Sequence, residues 1–207
     1  MWSWLSVALS SFISISADES NNPRQAALFK TMSLLMLVVL LWSDGGAAPV
    51  IAGWITLGLL VSVAADSLYL LGRWPKWCFS AFIVAQLCYS TSFWLQLSGE
   101  MVWWLPAMLL AIGIVSFFLL LPKLDQLIFP VVVMGSVLLQ LNWAAGEVWL
   151  SQHSLSSALG FVGTLVLTVS AALLALHDYR HPVKGGRYLI SGSYILAHSL
   201  ITAAMIL

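Results

Sequence analysis

The chain has 207 residues, of which 61% are hydrophobic and only 8% charged, and its eight basic and eight acidic side chains cancel to a net charge of zero. Soluble domains average roughly 45–50% apolar and 25% charged residues, so this composition excludes an ordinary water-soluble fold and indicates an integral membrane protein. Without a basic run or a net positive charge, nothing calls for a nucleic-acid partner, and membrane lipids are the expected surroundings.

Crossing the hydrocarbon core as a helix takes roughly 20 apolar residues. In chain order, eight such runs are expected, at about Trp2–Ala17, Ala26–Trp42, Ala48–Leu71, Trp77–Leu97, Met101–Leu121, Leu127–Ala145, Leu155–Leu176 and Tyr188–Leu207. The first is short and rich in serine. Breakers such as Ser43-Asp44-Gly45-Gly46, Gly72-Arg73-Trp74-Pro75 and His181-Pro182-Val183-Lys184-Gly185-Gly186 divide the others. The expected architecture is therefore all-α: a polytopic membrane bundle of eight transmembrane helices forming one domain over residues 1–207, with no room for a soluble domain. Cys78 and Cys88 share the fourth run ten residues apart, roughly 15 Å along a helix, too far for a disulfide. The first basic residue is Arg24, so a cleavable leader is not expected.

The basic residues orient these runs. Arg24 and Lys30 flank the first connection, Arg73 and Lys76 the third, Lys123 the fifth, and Arg180, Lys184 and Arg187 the seventh. The second, fourth and sixth connections carry Asp44, Glu100, and Glu147 with His153. By the positive-inside rule the odd connections are cytoplasmic and both termini extracytoplasmic. Each polar residue then acquires a depth. Asp66, inside VSVAADSLYLL, lies roughly 8 Å from the cytoplasmic end of span three. Lys30, Gln86, Tyr194 and His198 occupy the same slab, from the inner interface to mid-membrane, while Gln140 and Asn142 lie further out. An intramembrane carboxyl costs a few kcal/mol (~2.5–3.5) and usually faces the bundle interior. Asp66 is either a buried staple, paired with Lys30 or bonded to Tyr194, or part of a common polar chamber with these residues. Lys30 alone reads as an interfacial residue, His198 as an interhelical hydrogen-bonder, and Tyr69 and Tyr89 as packing residues.

A faint internal echo accompanies this pattern. Spans three and seven end VAADSLYLLGRW and TVSAALLALHDY, and the spans that follow them carry Ala85-Gln86-Leu87 and Ala197-His198-Ser199. The echo suggests a 4+4 parallel repeat in which Asp66 matches Ala171 and Gln86 matches His198.

Several pieces together carry a family resemblance: Phe29-Lys30 opening FKTMSLLMLVVLLW, GLLVSVAADSLYLL, Gln86-Leu87-Cys88-Tyr89, Pro130 in FPVVVMG, Gly146-Glu147, and SYILAHSLI around Tyr194 and His198. In order and spacing the chain resembles the lysoplasmalogenase, or YhhN-like, family of multi-span membrane proteins. The resemblance implies a hydrolase that cleaves the vinyl-ether bond of lysoplasmalogens into a fatty aldehyde and a glycerophospho-base, in a bacterial inner membrane. Asp66, Lys30 and Tyr194 match the family. Active members commonly carry His at the place of Gln86 and a second Asp where this chain has Ala171, and His198 stands where Gln is common.

That chemistry assigns roles. Low dielectric favours a neutral carboxyl, the form that gives a proton to the enol carbon, which casts Asp66 as general acid. Tyr194 and His198 would orient the water or relay its proton. Lys30, near the headgroup level, would meet the substrate phosphate, with Gln86 and Tyr89 lining the substrate site. Glu147 sits toward the opposite interface. No cofactor is called for, and His177-Asp178-Tyr179-Arg180-His181 reads as a solvated turn, not a metal site. Two other readings remain: a catalytically silent relative that binds or moves a lysolipid, and a proton-coupled transporter, which lacks the paired Gly/Pro-broken helices that many transporters show.

Overall fold

A computed structural model of the chain describes residues 2–20, 22–44, 46–70, 72, 74–97, 99, 101–120, 128–179 and 185–207. These form eight α-helices: α1 (Trp2–Glu19), α2 (Pro23–Asp44), α3 (Pro49–Leu70), α4 (Pro75–Trp94), α5 (Trp104–Leu120), α6 (Ile128–Gln152), α7 (Leu155–Tyr179) and α8 (Gly186–Ile206). Five of them, α2, α3, α6, α7 and α8, contain stretches long and apolar enough to cross a membrane, and the chain is an all-helical membrane bundle. The span ends placed at Leu71, Leu121 and Leu127, and Arg73, Glu100, Lys123, Arg180, His181 and Lys184 in the connections, lie outside the described residues.

Local chemistry explains where the helices depart from the apolar runs. Pro23, Pro49 and Pro75 each open a helix, because proline fixes φ near the helical value and lacks the N–H that a first turn leaves unpaired. Helices α2 and α4 therefore begin before the apolar run does. The α3–α4 turn passes through left-handed backbone at Gly72 (φ 61°) and Trp74 (φ 57°) before Pro75 starts α4. Helix α7 continues to Tyr179, so the stretch from His177 to Tyr179, expected as turn, is helical.

Helix α6 runs on to Gln152, seven residues past the expected end at Ala145. Gly146 and Glu147 read as a break, yet both serve packing. A side chain at Gly146 would collide with Leu105 and Phe161. Glu147 is buried, and its carboxylate accepts hydrogen bonds from the Val102 backbone N–H (3.0 and 3.1 Å) and from Trp143 Nε1 (2.9 Å). A buried carboxylate persists only when its oxygens are satisfied, and here the donors come from the entry to α5 and from its own helix.

Helix α1 shows why hydropathy undervalues some elements. Its inward serines bond to α2: Ser10 to the Phe29 carbonyl (2.9 Å), Ser14 to the Ala26 carbonyl (2.8 Å) and Ser11 to Ser33 (3.3 Å). Its outward face is Leu5, Leu9 and Phe12. Ser10, Ser11 and Ser14, which lower its mean hydropathy, are turned away from lipid. At the other end of α1, the Arg187 guanidinium of α8 donates to the Asp18 carbonyl at 2.7 Å and faces its carboxylate at 3.8 Å.

Consecutive helices pack in sequence, except that α4 leans on α6 and not on α5; α8 closes against α1, α2 and α3. A shift of four helices carries the α2–α8 contact onto α6–α4, whereas α1 on α8 has no counterpart in α5 on α4 among the substantial contacts. In the register that matches Asp66 with Ala171 and Gln86 with His198, Gly58 falls on Gly163 and Tyr89 on Ile201. A Cβ at Gly58 would strike the Tyr89 ring, and one at Gly163 would come within 3.0 Å of Ile201. Phe82 falls on Tyr194 in the same register, and these rings meet edge to face at 6.4 Å.

The bond from Glu147 to the start of α5 is open to measurement. Glu147→Ala strands two part-buried donors and is expected to lower the stability of the detergent-solubilised protein by about 1–3 kcal/mol, read as a lower unfolding midpoint. Glu147→Gln keeps an acceptor oxygen and should recover much of the loss. An alanine variant that unfolds like the wild type would show that this carboxylate does not hold α5 to α6.

Candidate functional site

Helical periodicity gathers the polar side chains. On α3, Gly58, Ser62 and Asp66 follow one another at four-residue steps and share one face. Tyr194 and His198 stand in the same relation on α8. Helix α2 supplies Lys30, and α4 supplies Gln86 and Tyr89, three residues apart on its buried face. Every one of these polar residues is buried.

Lys30 Nζ donates to Asp66 Oδ1 at 2.8 Å, with both side chains almost wholly shielded. The ammonium also lies 4.3 Å from the centroid of the Tyr194 ring, within range of a cation–π attraction. The expectation that Lys30 reaches the headgroup level is thus corrected: its stem turns inward, because in a dry interior a carboxylate is a stronger partner than a distant interface. Asp66 Oδ2 and Tyr194 Oη have no hydrogen-bond partner among the described residues. The Tyr194 side chain nevertheless interacts with Asp66 and with Ser62.

A second chain of contacts runs beside the first. His198 Nδ1 lies 2.8 Å from the Tyr194 carbonyl oxygen. A carbonyl only accepts, so Nδ1 carries the proton and Nε2 is the acceptor. Nε2 faces Ser62 Oγ at 3.5 Å, and Ser62 Oγ lies 3.0 Å from Tyr89 Oη. One backbone carbonyl thereby directs the whole row, Tyr89 to Ser62 to His198. The His198 ring packs on both tyrosines, at 4.2 Å from Tyr194 and 5.5 Å from Tyr89.

Asp66, Lys30, Tyr194, His198 and Tyr89 are accordingly brought together, the pair and the row meeting at Tyr194 and His198. Gln86 shares the buried face of α4 with Tyr89, but its Oε1 has no partner among the described residues. Ala171 is half-buried on α7, and its neighbour Ser170 bonds to the Ile190 carbonyl at 2.9 Å. Tyr69 is exposed. Ser62 was missed from sequence; its position one turn before Asp66, one turn after Gly58, is the signal that could have found it. Cys78 Sγ, donating to the Ala65 carbonyl at 3.4 Å, joins α4 to α3 beside Asp66. Among the described residues no group of His, Cys, Asp and Glu is placed to hold a metal ion.

A helical membrane bundle that buries an ion pair and a Tyr-Ser-His row between α2, α3, α4 and α8 is the class of protein these observations define. The sequence profile of the YhhN family matches residues 25–205, and the chain belongs to that family. Relatives from two strains of Escherichia coli and from Shigella flexneri, each described as an uncharacterized membrane protein YhhN, are 28% identical over 211 residues, spanning the full length of both chains. No solved structure matches the chain.

The closeness of α3 and α4 at the site makes Gly58 sensitive. A methyl group there would lie within 3 Å of Tyr89 Cδ1, so the ring must move and its contact with Ser62 must break. Gly58→Ala is expected to destabilise by about 1–3 kcal/mol, as overpacking commonly does. In a Tyr89→Leu background the same change should cost much less, and equal costs in both backgrounds would show that the ring is not what the glycine accommodates.

Proposed function

We propose that this protein is a membrane-embedded ether hydrolase that cleaves the vinyl-ether bond of lysoplasmalogens, releasing a fatty aldehyde and a glycerophospho-base. The observation that carries the reading is the buried Lys30–Asp66 pair, one of whose carboxylate oxygens accepts no hydrogen bond among the described residues. Its depth suits the linkage between a lipid tail and its glycerol. The setting is a bacterial inner membrane with both termini extracytoplasmic and the site in the cytoplasmic half.

The pair can supply the first proton without burying net charge. Lys30 and Asp66 hold one labile proton between two bases and are neutral together. Proton transfer from the ammonium to the carboxylate leaves an amine and a carboxylic acid, which a dry site tolerates well. Asp66 then gives the proton to the vinyl carbon remote from the ether oxygen. The π electrons form the new C–H bond, and positive charge spreads over the other carbon and the oxygen. At that moment the pair carries one negative charge beside one positive charge, so it attracts the transition state more strongly than the ground state.

Water then attacks the cationic carbon. Its departing proton restores the pair, either directly or through Tyr194 Oη. The hemiacetal collapses as its hydroxyl proton passes to the glycerol oxygen and the C–O bond breaks. One water is consumed overall. No cofactor enters these steps.

A second reading, a lysolipid carrier without bond cleavage, draws on Ala171, a methyl group where the family resemblance leads one to expect a second carboxylate. Mass spectrometry of purified protein incubated with lysoplasmalogen separates the two. Aldehyde release supports hydrolysis; intact lipid recovered on the protein supports carriage.

Asp66→Asn preserves shape and hydrogen bonding but cannot deliver a proton, so turnover should fall by about a hundred- to ten-thousand-fold while lysolipid binding persists. Lys30→Ala should lower turnover as well, not affinity alone, because its ammonium holds the labile proton. A wild-type rate in Asp66→Asn would remove the pair from the chemistry. For orientation, a membrane-impermeant thiol reagent applied to intact cells should label Ser151→Cys and spare Lys76→Cys. The opposite pattern would overturn the topology.

A further inference from the structure

Gln140 is the central residue of α6, twelve residues from each end of the helix, or roughly 18 Å at 1.5 Å per residue. With α6 centred in a hydrocarbon core about 30 Å thick, it lies deep in the bilayer whichever way the chain is oriented. Its side chain is exposed on the outside of the bundle and makes no hydrogen bond among the described residues. Lipid tails offer neither donor nor acceptor, and a polar group without a partner there is costly. Polar side chains at this depth are expected to turn inward, as Asn142 does two residues later, bonding Thr168 at 2.7 Å.

The exposed stripe on α6 runs Phe129, Val132, Ser136 and Gln140, at steps of three and four residues that keep them on one face. The corresponding face of α2 gives a comparison within the same molecule. Matching Trp42 with Trp143 places Leu28, Thr31, Leu35 and Val39 on Phe129, Val132, Ser136 and Gln140; Thr31 is half-buried, and the other three are exposed and apolar. Lipid accounts for the α2 face. It does not account for the α6 face, where Ser136 satisfies itself by donating to the Val132 carbonyl at 2.8 Å but Gln140 has no such recourse.

We propose that the α6 face is the interface of a homodimer whose two Gln140 side chains bond to each other. Two copies in one membrane share an orientation, so their two-fold axis lies along the membrane normal and brings the two α6 helices together in parallel. Residue 140 of one copy then meets residue 140 of its partner. A carboxamide is its own complement: each donates an N–H to the carbonyl of the other, so each amide gains one donated and one accepted hydrogen bond. The three-and-four spacing is that of shallow left-handed helix packing, with Phe129, Val132 and Ser136 filling the contact on the cytoplasmic side of the amides. This inference is independent of the hydrolase reading.

The test uses the full-length protein in vesicles of bacterial lipid, followed by Förster transfer between labelled copies and by single-molecule photobleaching. The wild type should bleach in two steps. Gln140→Leu, a change at the lipid surface that leaves the unfolding midpoint in place, should weaken association by about five- to thirtyfold, and Gln140→Asn should retain part of it. Oxidation should cross-link Ser136→Cys to itself and leave Leu35→Cys, on the α2 face, as monomer. A wild type that bleaches in one step, a Gln140→Leu variant that associates normally, or cross-linking through Leu35→Cys in place of Ser136→Cys would each overturn the proposal.

Discussion

The contact between Lys30 and Asp66 governs the rest of the site. Removing two charges from water costs several kcal/mol per ion after relaxation, and only close geometry offsets it. At 2.8 Å, beneath the face of Tyr194, the pair fixes α2 against α3 and sets where α8 must pass. Such a pair is weak evidence of stabilisation, since apolar residues of similar volume often serve as well. Its retention in a chain with so few charges is instead a reason to look for chemistry. The loss of either member would leave the other as an uncompensated charge.

The pair and the Tyr89-Ser62-His198 row are different kinds of polar structure. The pair is an ammonium bonded to a carboxylate whose second oxygen has no hydrogen bond among the described residues; the row has a fixed direction, imposed by the Tyr194 carbonyl within the same helix. Tyr194 touches both, its ring beneath the Lys30 ammonium and its carbonyl holding His198. Gly58 permits this arrangement by letting the Tyr89 ring lie against α3.

Much of this was legible in the sequence. Eight helices follow from apolar runs and breakers, and the shared depth of Asp66, Lys30, Tyr194 and His198 anticipated their meeting. What remained hidden is what depends on direction around a helix. Depth counted along the chain places Lys30 near the interface, but the rotation of α2 and the reach of the side chain decide that it points inward. Gly146-Glu147 reads as a terminus because neither residue is apolar, and only the Val102 donor, brought by a different helix, shows why the helix continues. Ser62 is invisible to hydropathy because a serine in an apolar run can satisfy itself on its own backbone; here it turns to a tyrosine and a histidine instead. The exposure of Gln140 likewise could not be read from its depth.

The order of the helices has a consequence for biogenesis. Lys30 and Asp66 sit on adjacent helices joined by a short connection, so α2 and α3 can enter the bilayer as a hairpin whose charges are already neutralised. The insertion machinery then releases a unit with no isolated ion to shelter. Tyr89 arrives one helix later and finds Ser62 waiting on α3. Tyr194 and His198 belong to the final helix, so the directed row is completed only when synthesis is finished. A nascent chain holds a closed, neutral staple that can wait through the insertion of four further helices, and it acquires an acceptor nitrogen last. Assembly order thus completes the directed row only once the bundle that shields it is in place.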